Sequence, residues 1–512
     1  MTNKDSSSYA SFIGVNKAVI PGIRVLNDFL VTYYGYSIGK KKFKLSELKG
    51  FLKEEELKEL GDVICKEQDE NKKENLYKSF FKWINSYIYY SYDSDGDNGK
   101  FLIPITKKLL YKDEDAKART RNIMYLLLYV DASNKTKYDD DKKNIERFLF
   151  NTKSNSTYGR IISIIDNVIE NISDNNLVIN EPEPQQIQED DFDICISNKF
   201  LNTYREDFDL FIKSSCFMEM NIYRKINFFS LLLNFYETLY LINKAFEDEN
   251  PIILAKGMPS FSTESGKFHH AALGSFSDIR EKIFRMSEVF FDKMLLKEKY
   301  GKTQFKLDTE GNLSIRQDEE EQRFENSKIS KMDSLGTNDS KKIEKHFIEY
   351  FQIDEKGRYV EHKEMARAIV ELHKKMSSSV RMVSSMLSGQ GKEAGIVHPN
   401  NRIPKKYFAM SGEITEMLLM LFLTQTHSET GFATLTAFLG WLEKRYGIYI
   451  SFSDKLKGYL NKNSIQVPSE QEFTENVQAF IYTLESINAI LKLSDTSYIV
   501  CMPGKVGGVP QI

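Results

Sequence analysis

A chain of 512 residues is about three times the usual domain length, so two to four domains are expected, each with its own core. Hydrophobic residues at 41% against charged residues at 28% exclude a disordered chain, and a net charge of −3 excludes a global cationic field that draws in nucleic acid. Four scattered cysteines and seven dispersed histidines, none in CxxC spacing, exclude a readable zinc knuckle and imply reduced thiols in a cytoplasmic protein.

The first residues, Met1 to Ser11, are polar and lack the basic-then-apolar order of a signal peptide. Helical patterns follow at Ile23 to Tyr34, Leu45 to Leu60 and Leu76 to Tyr90, then a loop at Ser91 to Gly99 and a strand or short helix at Phe101 to Leu110. Apolar residues recur at three and four from Asp139 to Phe150 and from Ile161 to Ile172, which predicts amphipathic helices. The residues up to 180 are read as a first, mostly helical domain. An acidic linker at 181–200 carries Glu181, Glu183, Glu189, Asp190, Asp191 and Asp193 with little apolar content.

A helical domain at 201–301 comes next. Its most apolar stretch, Ile226 to Phe246, is interrupted by Asn227, Asn234, Glu237, Asn243 and Lys244, so it predicts a buried helix and no membrane span. Ser277 reads as the N-cap of a helix with Ile279, Ile283, Met286, Phe290 and Met294 on one face. The stretch 302–341 is a polar, flexible insertion. From 342 to 512 a C-terminal helical domain is expected, with helices at Lys342 to Phe351, Lys363 to Leu387, Gly412 to Thr424, Thr434 to Tyr446, Asp454 to Leu460 and Glu472 to Leu493, and a strand at Tyr498 to Met502. The fold class is therefore mainly α and multidomain. The order of the last three helices and the strand is compatible with a winged-helix-like module.

No complete catalytic motif is present. Asp93, Asp95 and Asp97 open like a calcium loop, but Asn98 stands where glycine is needed and Pro104 where the bidentate glutamate is needed. In Gly389, Gln390, Gly391, Lys392 the lysine is followed by Glu393, and the position five before Gly391 is Met386, so neither the first glycine nor the magnesium-binding hydroxyl of a nucleotide loop is there. Arg367 and His373 loosely resemble the Arg and His pair of helical HEPN ribonucleases. Six residues apart, they are rotated off a common helix face. His269 and His270 read as loop histidines. No metal or cofactor is expected.

The strongest local feature is Ser388 to Ile450. From Gly391 to Lys462, nine bases (Lys392, Arg402, Lys405, Lys406, Lys444, Arg445, Lys455, Lys457, Lys462) face six acids (Glu393, Glu413, Glu416, Glu429, Glu443, Asp454). Arg402, Lys405, Lys406, Lys444 and Arg445 are the candidate phosphate contacts, since cations among Asn and Tyr neutralise phosphates and satisfy their oxygens. Gly447 is a natural C-cap. The run Ile403 to Phe408, the helix Glu413 to Leu419 and the pattern Phe438, Leu439, Arg445, Tyr446, Gly447 resemble accessory, non-ATPase proteins of bacterial anti-phage restriction systems, of the methylation-associated or phosphorothioation-dependent kind.

That resemblance covers the last quarter of the chain and transfers no functional residue. It implies neighbouring ATPase or nuclease subunits, and together with the size of the chain, the lack of a catalytic motif and the basic C-terminal block it leads to the expectation of a non-catalytic subunit that joins other proteins, with DNA as a further ligand. The alternatives are a HEPN-like or metal-dependent nuclease and a pure protein scaffold.

Overall fold

A computed structural model describes residues 22–35, 100–111, 120–129, 135–150, 197–246, 250–259, 266–300, 359–375, 387–398, 405–426, 430–494 and 497–503, with short or single positions at 71–91, 162–166, 323–325 and 349–350. The protein is mainly α-helical. The calcium-like loop at Asp93 to Asp97, the acidic run up to Asp193 and Arg402 lie outside the described residues.

Helix α1 (Gly22–Tyr34) buries Ile23, Leu26, Phe29, Leu30 and Tyr33, the three-and-four spacing of one helix face. Strands β1 (Tyr89–Ser91) and β2 (Lys100–Leu102) form an antiparallel pair. Phe101 to Leu110 thus holds both a strand end and a short 3₁₀ turn, Lys107–Leu109, capped by Thr106. Helices α2 (Thr120–Tyr129) and α3 (Lys135–Ile145) follow, the latter ending in a π-turn at Glu146–Phe150.

Helix α4 (Asn198–Lys213) starts where the Ser197 hydroxyl accepts from the Phe200 amide. Helix α5 (Ile222–Phe246) is buried on all sides from Phe228 to Ile242, the signature of a central helix. Phe29 of α1 meets Phe208 of α4 and Phe229 of α5 edge-on at 5.8 and 5.5 Å between centroids, which ties the three helices into one aromatic core.

Helix α6 runs unbroken from Lys267 to Tyr300. Ser277 is therefore an exposed position inside it and not its cap, and His269 and His270 lie in its first turn and not in a loop. The reason is packing. Phe268, Ala271 and Ala272 are buried against the rest of the chain, so the helix gains by starting ten residues before Ser277. Of the expected face, Ile279, Ile283 and Met286 are buried. Strands β4 (Arg323–Glu325) and β5 (Tyr359–Glu361) pair antiparallel, and α7 (His362–Lys375) packs on α6.

The C-terminal elements are a helical turn at 387–393, β6 (Val397–His398), β7 (Tyr407–Ala409), α8 (Gly412–Thr426), β8 (Phe432–Thr434), α9 (Leu435–Tyr446), β9 (Ile448–Tyr449), α10 (Asp454–Lys462), α11 (Glu470–Ser486), β10 (Ile490–Lys492) and β11 (Tyr498–Cys501). Caps fix the helix starts: Thr434 for α9, Ser453 for α10, and a full capping box of Ser469 with Glu472 for α11. Helix α11 ends at Ser486, short of Leu493, because Ile490–Lys492 pairs with β11. The antiparallel sheet has the order β10-β11-β8.

A second sheet was not foreseen. Strand β3 (Ile253–Lys256) lies between β7 and β9, parallel to both, and β6 pairs antiparallel with β7, giving β6-β7-β3-β9. Asn476 of α11 fastens this sheet to the helix. Its amide donates to the carbonyls of Ala255 and Ile450, and its oxygen accepts from the Gly257 amide at 2.9 Å.

Gly447 ends α9 with φ +71°, and a Cβ there would sit 2.0 Å from the Pro251 carbonyl oxygen that leads into β3. Gly447→Ala is expected to lower stability by about 2 kcal/mol or more, from left-handed strain plus that clash. Thermal unfolding checks this, and a parent-like melting temperature overturns it.

Candidate nucleic-acid interface

The parallel register of the mixed sheet decides where the basic residues go. Ala255 lies opposite Phe408 and Ile253 opposite Ile448, so Lys405, Ile252 and Gly447 stand at one level at the strands' N-terminal ends. Two inter-strand spacings, about 10 Å, separate Lys405 from Gly447. Lys405 is exposed and Lys406 half-buried just before β7, while Lys444 is exposed in the last turn of α9, just before β9.

Lys199, in the first turn of α4, joins them. Its ammonium donates to the Lys444 carbonyl at 2.9 Å and to Asn250 Oδ1 at 2.8 Å, beside the start of β3. Burial lowers its pKa, and the charge of Lys455 on α10 lowers it further. Sequence reasoning missed Lys199 because it lies 245 residues from Lys444 and carries no local signal. On the other flank, burial and then Lys392 lower the pKa of Lys406. Burial and Lys406 lower that of His398, against the hydrogen bond it gives the Gly395 carbonyl.

Gathered like charges with depressed pKa values are a cost that an anion relieves. Glu393, next to Lys392, accepts from the Gly22 amide at 3.0 Å.

Arg445 is placed differently from its neighbour. Its Nε and Nη2 donate to Asp207 Oδ1 at 3.1 and 2.5 Å, and Nη2 also reaches Glu206 at 3.1 Å and the Thr203 carbonyl. The Asp207 side chain is fully buried, and its Oδ2 accepts from the hydroxyls of Tyr236 and Tyr446. Only a carboxylate can accept from all these donors at once. Burial by itself lowers the Arg445 pKa, but the Asp207 charge outweighs this and keeps the guanidinium firmly protonated. This arginine fastens α9 to α4, so its guanidinium is committed within the chain.

Arg367 is exposed on α7 and pairs with Glu288 of α6 at 3.5 Å, and the His373 side chain lies outside the described residues. Among the described residues no group of three or more His, Cys, Asp or Glu is arranged to hold a metal, and no helix is long and apolar enough to cross a membrane.

The segment holding Lys392, Lys405, Lys406, Lys444 and Lys455 has a counterpart among known families. Residues 279–500 match the family model of methylation-associated defense system protein MAD7. The resemblance to a methylation-associated defence protein therefore holds, over more than the last quarter of the chain. The MAD7 match begins within α6 and ends in β11, so it takes in β6, β7 and β9 but leaves out β3, Lys199 and Asp207. No curated protein and no solved structure matches the chain.

Proposed function

We propose that this chain is a non-catalytic subunit of a prokaryotic, methylation-associated anti-phage complex, and that the N-terminal edge of its mixed sheet binds nucleic-acid phosphates. One observation carries the reading. Lysines from separate parts of the chain, Lys199, Lys405, Lys406, Lys444 and Lys455, converge where three strands begin. Such an edge neutralises a polyanion without any catalytic group.

The order α8, β8, α9, α10, α11, β10, β11, with the sheet β10-β11-β8, supports a winged-helix-like reading of this region, with one helix and the short β9 added. In that reading the DNA-facing helix is α10 and not α11. Lys455, Lys457 and Lys462 are exposed on α10, whereas α11 exposes Glu470, Glu475 and Glu485. Tyr482 on α11 and Leu493 after β10, at 54% and 59% exposure, are the most exposed large apolar side chains among the described residues and are on offer to a protein partner such as an ATPase or nuclease subunit.

Duplex DNA titrations at several salt concentrations test the reading, with the parent chain beside a Lys405→Ala, Lys444→Ala, Lys455→Ala variant. The slope of log affinity against log salt is expected to become shallower by about 0.9 for each phosphate contact removed. An unchanged slope removes the basic edge from the interface. Failure of both proteins to bind at low salt replaces the reading with that of a protein scaffold.

A further inference from the structure

The basic edge runs into an open groove between α4, α8 and α9, lined by Lys199, Phe422, Gln425, Gly440, Trp441 and Lys444. Trp441 is held in one orientation there. Its Nε1 donates to Gln425 Oε1 at 3.1 Å, Tyr446 meets the ring edge-on at 5.1 Å, and Phe422 and Phe438 pack at 5.4 and 6.1 Å. The Arg445 guanidinium lies over the ring at 5.7 Å, so the half-buried indole offers only the contact area these neighbours leave, with little conformational entropy left to lose.

Gly440 is the second feature. It stands in the interior of α9, where glycine is a poor helix former, and a Cβ there would meet no atom of the described residues within 4 Å. Among the described residues nothing packs on this bare backbone, which leaves room for a ligand to lie against the helix. Gly458 repeats the pattern on the exposed face of α10, beside Lys455 and Lys457. The third feature is charge, since Lys199 and Lys444 stand at the groove.

We infer that this groove takes a single-stranded nucleic-acid segment, with one base against Trp441 over Gly440 and the flanking phosphates on Lys199 and Lys444. The inference rests on the nucleic-acid reading above and adds the strand state. In a duplex the faces of each base are covered by its neighbours, so only an unpaired base can pack on an aromatic side chain. A positively charged groove with an aromatic platform is the arrangement that binds single strands with little regard to sequence.

Two tryptophans are present in the chain, so Trp83→Phe leaves Trp441 as the sole emitter. In that background, oligothymidylate and a blunt duplex of equal length are titrated against the full chain, with and without Gly440→Leu and Gly440→Ala. Oligothymidylate is expected to quench Trp441 emission and to bind tighter than the duplex. Gly440→Leu is expected to weaken it about tenfold or more while the duplex titration stays put. Gly440→Ala is expected to melt at or above the parent temperature and still bind the strand less well, which separates a binding role from a folding one.

Binding of oligothymidylate without quenching, and unchanged by Gly440→Leu, overturns the groove while leaving the basic edge intact. Binding of neither nucleic acid removes both readings. Gly440-dependent binding of oligoglutamate, with none of oligothymidylate, assigns the groove to an acidic peptide and overturns the inference.

Discussion

Replacing Asp207 by alanine is expected to cost about 3–5 kcal/mol of stability, because it leaves the Arg445 guanidinium, only 12% exposed, without its buried carboxylate and with only the exposed Glu206 as an ion-pair partner. The hydroxyls of Tyr236 and Tyr446 lose their acceptor in the same step. Arg445→Ala is expected to cost a similar amount, since it strands a carboxylate with no solvent exposure. The double variant should cost clearly less than the sum, as partners of one network do. Denaturant unfolding of the four proteins checks this. Additive losses mean that α4 and α9 are held together by something other than this pair. The cycle also guards the functional reading, because loss of nucleic-acid binding in Arg445→Ala reports an unfastened α9 and not a lost phosphate contact.

The second large effect concerns Glu237, in the middle of α5. It is 1% exposed, and its Oε2 has no hydrogen-bond partner among the described residues. Burial, with the charge of Asp28 on α1 added, raises its pKa from 4.5 to about 8. A raised carboxyl pKa means that the folded chain holds a proton the unfolded chain releases. Its contribution is therefore most favourable below pH 4.5 and is lost as pH rises towards 8, at about 1.4 kcal/mol for each unit between the two values.

Glu237→Gln keeps the shape and removes the titration. The variant is expected to match the parent near pH 5 and to exceed it by about 3–5 kcal/mol at pH 8. Unfolding midpoints measured at pH 5, 6, 7 and 8 decide the matter. A gap that does not widen with pH means that Glu237 is already ionised in the folded chain.

The same residues show how far the sequence reaches. The periodicity of Ile23 to Tyr34, the apolar run ending at Phe246 and Gly447 as a C-cap were all legible, because helix faces and caps are written within a few neighbouring positions. Helix α6 was misread at its start because burial of Phe268 and Ala271, a tertiary term, overrode the local capping signal at Ser277. Strands β3 and β9 were missed for a related reason. Four and two residues long, they carry no periodicity, and they are strands because of their neighbours, β9 beside β3 and β3 between β7 and β9.

Composition and motif spacing by themselves determined a mainly α-helical chain without a complete catalytic signature and with a basic excess near its C-terminal end. Only the tertiary structure decided which of those bases share a surface. Parallel pairing of β7, β3 and β9 brings Lys405 and Lys444 to one edge and draws in Lys199 from far along the chain, while Asp207 withdraws Arg445 into an internal ion pair. Charge is a property of single residues, but a phosphate site depends on charges held at matching distances. Those distances are set by contacts between residues hundreds of positions apart, for which no local pattern exists.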